Sequence, residues 1–199
     1  MAQKLEKLRE TASQTAGPYV HIGMMPTYAG NGGSYETEIG ARSFEDGARG
    51  TVIEITGAVY DGLGNVLRDA LIESWQPDAD GRFAGEAGAD SKVSGFCRFA
   101  ADAETGQFTL STVKPGRVRH RSGVMQAPHI ALWIVARGIN VGLQTRIYFE
   151  DEDNDGDPLL SRIEHRTRVE TLIAKKVGEN RYRFDIRLQG ANETVFLDM

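Results

Sequence analysis

The chain has 199 residues, 26% of them charged and 40% hydrophobic, with a net charge of -5. That length buries a sizeable core, and one soluble domain is the simplest organisation. The acidic balance argues against bulk attraction to nucleic acid or an anionic membrane, no apolar run approaches a membrane span, and a single cysteine, Cys97, excludes an internal disulfide or a cysteine metal cluster.

Residues 1–10 carry a short helical pattern through Leu5 and Leu8, too short to be stable without docking. They are too polar for a secretory signal. Gly17-Pro18 sets a turn, after which Tyr19, Val20, His21 and Ile22 read as extended. Residues 26–50 are rich in Gly, Ser, Thr, Asn and charge, without periodicity. We read residues 1–50 as an arm of the kind that wraps a partner, and residues 51–199 as the folded body.

In the body, residues 51–60, 71–76, 96–99, 107–113, 127–134, 143–149, 181–188 and 194–197 read as strands, with turn signals between them. Residues 158–165 suit a short helix led by Pro158. Many short strands and little helix predict an all-β fold: a β-sandwich core with an N-terminal arm and long loops.

Several clusters invite a chemical reading. The acidic run Asp151, Asp153, Asp155, Gly156 resembles the start of a calcium loop, but loop position twelve is Arg162 rather than glutamate. A solvated acidic turn is the better reading. Arg117, Arg119 and Arg121 with His120 form a basic knot, either an anion or partner contact or simply a solvated loop. His129 opens a strand and shares a face with Ala131, so a methyl group stands where a second imidazole would be needed to grip a metal from that face. Arg137 follows an apolar strand, and its head must reach water, an acid or a ligand. Composition and spacing stop at a β-sandwich of unassigned activity.

A set of segments in order carries further. These are SQTAGPYVHIG (13–23), VYDG (59–62), WQPDADG (75–81), TVKPG (112–116), APHI (127–130), ARGIN (136–140), TRIYF (145–149), ETLIAK (170–175) and RFDIR (183–187). With them the chain resembles, over nearly its whole length, the alpha chains of the protocatechuate 3,4-dioxygenase family, which are intradiol ring-cleaving enzymes. The resemblance implies a non-haem ferric ion, Fe(III), held by two tyrosines and two histidines of a beta chain. The matching positions here are Phe83, Val118 (or its neighbour), His129 and Ala131. One ligand of four cannot hold ferric iron. The resemblance therefore implies no metal and no catalytic residue on this chain, with a beta chain as partner in a higher αβ oligomer. It further implies that Thr15, Gly17, Pro18, Tyr19 and Arg137 border the substrate on the beta chain. The implied reaction is O2-dependent cleavage of protocatechuate, a small aromatic, to 3-carboxy-cis,cis-muconate in the cytoplasmic β-ketoadipate pathway. The alternative from another class is a non-catalytic β-sandwich module that binds a small anion, and a weaker one is a homo-oligomer holding metal through His129.

Overall fold

The computed structural model describes residues 14–33 and 35–198; the helical pattern expected over residues 1–10 lies outside them. The elements are α1 (Pro18–Met24), β1 (Val52–Tyr60), β2 (Leu71–Trp75), β3 (Phe96–Ala100), β4 (Gln107–Val113), β5 (Val118–Arg119), β6 (Met125–Gln126), β7 (His129–Val135), β8 (Leu143–Phe149), β9 (Ile173–Gly178), β10 (Arg181–Arg183) and β11 (Ile186–Arg187). Two 3-10 turns, Leu160–Arg162 and Arg166–Leu172, stand between β8 and β9.

Nine strands join in one mixed sheet, ordered β11-β1-β10-β9-β8-β7-β2-β3, with β4 on the other side of β1. The all-β sandwich expected from the sequence is what forms, because the two halves of this sheet share one core. Ile53 and Ile55 of β1 and Phe108 and Leu110 of β4 pack with Ile130, Leu132 and Ile134 of β7 and Ile147 and Phe149 of β8. Alternation on β7 sends Ile130, Leu132 and Ile134 inward and leaves His129, Ala131, Trp133 and Val135 on the opposite face. Phe99 and Phe108 close the core, with ring centroids 5.6 Å apart.

Residues 181–188 alternate as predicted, with Tyr182, Phe184 and Ile186 buried, but they form two short strands rather than one. The interruption lies beside Gly57, where a Cβ would sit 1.8 Å from the carbonyl oxygen of Phe184. Only glycine lets β1 pass this backbone. The Asp185 carboxylate then accepts the Ala58 N–H at 3.1 Å, replacing the lost ladder bond.

Three other expectations are corrected. Residues 19–22 form the body of α1 rather than an extended segment. Pro18 occupies its first turn, where a proline ring fixes a helical φ and its missing N–H costs nothing. Residues 158–165 supply only the three-residue 3-10 turn Leu160–Arg162. Residues 194–197 form no strand; Thr194 N donates to Arg187 O and Leu197 N to Gln144 O without a continuous ladder.

Candidate active-site half and a relic pocket

Two segments far apart in sequence meet at one surface. The Thr15 hydroxyl accepts the Gly138 N–H at 2.7 Å and donates to the Ala136 carbonyl at 3.3 Å. Gly138 turns the chain after β7 with φ +91°, which favours glycine. The next residues after Thr15 lead into α1, whose far end is also tied down. Arg98 donates to the Met24 carbonyl at 3.1 Å while pairing with Glu73 at 2.6 Å. Thr15 thus positions the arm; its hydroxyl is already engaged within the chain.

Gly17 precedes α1 in extended backbone, and nothing lies within 4 Å of the place a Cβ would take. Tyr19 is 86% exposed. Arg137 stands at the same rim, its side chain 77% exposed, with both its backbone N–H and its Nε donating to Asp69 (3.3 and 3.2 Å). A cavity of about 570 Å3 separates Tyr19 and Val20 from Trp133 and Val135. One of about 400 Å3 lies beyond Arg137, against Leu67 and Ile139. The surface therefore presents a fixed guanidinium, a bare backbone corner and an aromatic ring to whatever packs there.

The positions that resemble an iron site lie on the same face of the sheet, towards the opposite end of β7. Phe83 stacks on Trp75, centroids 6.2 Å apart and planes at 7°. Trp75 pairs in register with Ala131, and Ala131 with Arg146. Arg146 Nη1 donates to Gln126 at 2.9 Å, and Gln126 pairs with Val118. His129 is opposite Tyr148, ring centroids 5.5 Å apart.

These residues do not fit a ferric ion. Phe83, Val118 and Ala131 offer no donor atom, and a guanidinium occupies the neighbourhood of the one imidazole. Among the described residues no three His, Cys, Asp or Glu side chains are grouped to hold a metal. The His129 ring instead serves the fold. Its Nδ1 lies 2.8 Å from the Ala127 carbonyl, which only accepts, so Nδ1 carries the proton. Burial, and then the Arg146 guanidinium, push His129 down to about 4, against the opposing effects of the Ala127 carbonyl and Asp157. A histidine depressed in the folded state takes up its proton more readily when unfolded. Stability is therefore complete above about pH 6.5 and is lost as the pH falls towards 4, by up to about 3 kcal/mol. We expect His129→Gln to flatten urea stability over that window; equal pH slopes for the two proteins would contradict this.

Asp157 anchors this region and escaped the sequence reading, which stopped at the acidic run before it. Fully buried, its carboxylate accepts Ala127 N, Leu159 N, Leu160 N and the Tyr148 hydroxyl, at 2.8 to 3.2 Å. Arg146 was also missed, although its place beside Gln144 and Tyr148, on the face of β8 that turns away from the main core, follows from alternation. The acidic run is not a calcium loop. Asp151 binds Lys114 and Lys176, Glu152 binds Lys114, and Asp153 faces Arg117. Burial opposes ionisation of Asp151, yet its bonds to Lys176 and Lys114 hold it down to about 2. The basic knot does not converge either. Arg117 turns to Asp153, and β5 and β6 form a small hairpin whose turn is held by His120 Nδ1 and Ser122, 2.7 Å apart.

The family model described as Dioxygenase matches residues 24–190. A protocatechuate 3,4-dioxygenase alpha chain of Pseudomonas putida is 47% identical over 98% of both chains. The chain belongs to the intradiol dioxygenase family, on its alpha-chain branch. A beta chain of the same enzyme from Burkholderia cepacia is 32% identical, over 56% of this chain and 48% of its own. An intradiol ring-cleavage dioxygenase from Tetranychus urticae shares the fold, with a TM-score of 0.58 at 18% identity over 78% of this chain and 90% of that one. The family is iron-dependent in general, which gives the poor fit of this alpha chain to iron its meaning.

Proposed function

We propose that this alpha chain completes an active site whose ferric ion is held by a beta chain, in a protocatechuate 3,4-dioxygenase built from αβ pairs. The observation that carries the reading is the pairing of a donor-poor relic pocket with an open rim. Thr15 knots the arm to the turn at Arg137, and the rim so formed exposes Tyr19 and the Arg137 guanidinium.

In the overall reaction, O2 adds both its atoms to protocatechuate and the carbon–carbon bond between the two hydroxyl-bearing carbons breaks. Two new carboxyl groups form, giving 3-carboxy-cis,cis-muconate. Iron on the beta chain supplies the oxygen chemistry when bound. The residues of this chain bind and exclude. Gly17 and Pro18 bring backbone close to the substrate, Tyr19 closes a wall, and Arg137 offers its guanidinium to the substrate carboxylate or to negative charge developing on the opening ring. Steering by Arg137 is local, since the chain's net charge repels an anion. The enzyme then acts in the cytoplasm, in the β-ketoadipate route.

The test is steric. Gly17 has extended backbone and free space around it, so Gly17→Phe leaves the isolated chain folded. In the complex with the beta chain the ring occupies the substrate's approach. We expect near-complete loss of oxygen uptake, or loss of co-purification, at an unchanged melting temperature of the alpha chain alone. A complex of normal yield and activity would overturn the placement of residues 15–19.

A further inference from the structure

We propose that the cavity between β8, residues 158–168 and the C-terminal segment is a second ligand site, for a small monocarboxylate with an apolar body such as an aromatic acid. It measures about 820 Å3, within the range of small-molecule sites. It is separate from the rim around Arg137, with no residue in common.

Arg146 forms one wall. Its Nη1 is taken by Gln126 at 2.9 Å and the Tyr148 hydroxyl at 3.4 Å. Its Nε is enclosed and meets no acceptor. Nε is thereby shut off from a ligand, and Nη2, without a hydrogen-bond partner among the described residues, is the atom left to hold a carboxylate oxygen. Among the described residues no carboxylate pairs with Arg146, and the near one, Asp157, is already occupied by four donors. A half-buried cation without a counter-ion is a standing demand for an anion.

The rest of the cavity says which anion. Arg121, Arg162 and Arg168 also line it, against the carboxylates of Glu164 and Asp198, so positive charge dominates. Arg168 is spent on Glu193 and the Thr194 carbonyl, whereas Arg121 and Arg162 enter no ion pair among the described residues. Leu159, Ile163, Val195 and Leu197 supply apolar wall. A compact oxyanion satisfies the arginines but leaves that wall wet; a ring bearing one carboxylate satisfies both.

Equilibrium dialysis of the full chain against labelled benzoate tests this. We expect one saturable site, weakened at least about tenfold by Arg146→Gln. Arg121→Gln with Arg162→Gln, both exposed and without an ion pair among the described residues, weakens it severalfold without disturbing the fold, and decides the matter if Arg146→Gln does not fold. Arg42→Gln, at a different cavity, leaves it unchanged. Absence of saturable uptake, or equal affinity in the wild type and the double variant, would overturn the site. Inorganic phosphate competing as well as benzoate would overturn the aromatic class.

Discussion

Arg137→Ala lowers kcat/KM of the assembled enzyme about thirty- to hundredfold, while the alpha chain itself melts as before. The two halves of that expectation have different physical sources. Within the chain, Arg137 makes one exposed ion pair, with Asp69, and such pairs are worth about 0–1 kcal/mol. At the rim, under a bound anion and with water excluded, the same guanidinium makes charge-assisted bonds worth about 2–3 kcal/mol. A KM effect alone marks ground-state binding of the substrate carboxylate; a fall in kcat marks charge that develops during ring opening. Asp69→Asn gives a smaller loss in the same direction, because it frees the Arg137 head without removing it. Unchanged steady-state kinetics of Arg137→Ala would contradict a substrate-facing role.

Asp157→Ala costs the fold about 3–4 kcal/mol, the largest stability loss expected of any single change near the relic pocket. Its carboxylate is inaccessible and receives three backbone N–H groups and one hydroxyl. Bonds to a charged acceptor are stronger than neutral ones, and removal leaves three buried donors and one part-buried donor without this partner. Urea denaturation measures the change; a loss below about 1 kcal/mol would mean that water replaces the carboxylate at little cost. The variant also frees Leu159 and Leu160, so benzoate uptake at the neighbouring cavity falls with it. Asn in place of Asp keeps two acceptor lone pairs and recovers part of the loss.

What the sequence made legible follows from period and from its failures. Strands β1 and β4 announce themselves because one face is buried, so apolar residues alternate with polar ones, while β7 and β8 are read from runs of β-branched and aromatic residues between turn signals. Residues 19–22 have the same composition yet form α1, a seven-residue helix. Helices that short are decided by docking, here through Thr15 and Arg98, and not by propensity. Residues 194–197 look like a strand but find no continuous edge to pair with. Strand β9 was not foreseen because IAKKVG exposes three consecutive residues and shows no alternation.

The site divides along the same line. No spacing rule links Thr15 to Gly138, 123 residues away, so their meeting emerges only from the fold. Arg137 was singled out as a charge that needs a partner; Asp69, the partner, was not. The missing donors at Phe83, Val118 and Ala131 came into view only through the resemblance to the family. The replacement chemistry of the relic pocket, a buried neutral His129 beside Arg146 and Asp157, depends on burial that composition does not reveal.

The most direct measurement is iron content together with protocatechuate-dependent oxygen uptake, made on this chain alone and after co-expression with a beta chain. We expect neither in the isolated chain and both in the complex. Stoichiometric iron and oxygen uptake in the isolated chain would contradict this, and would place a metal site where Phe83, Val118 and Ala131 offer no donor atom.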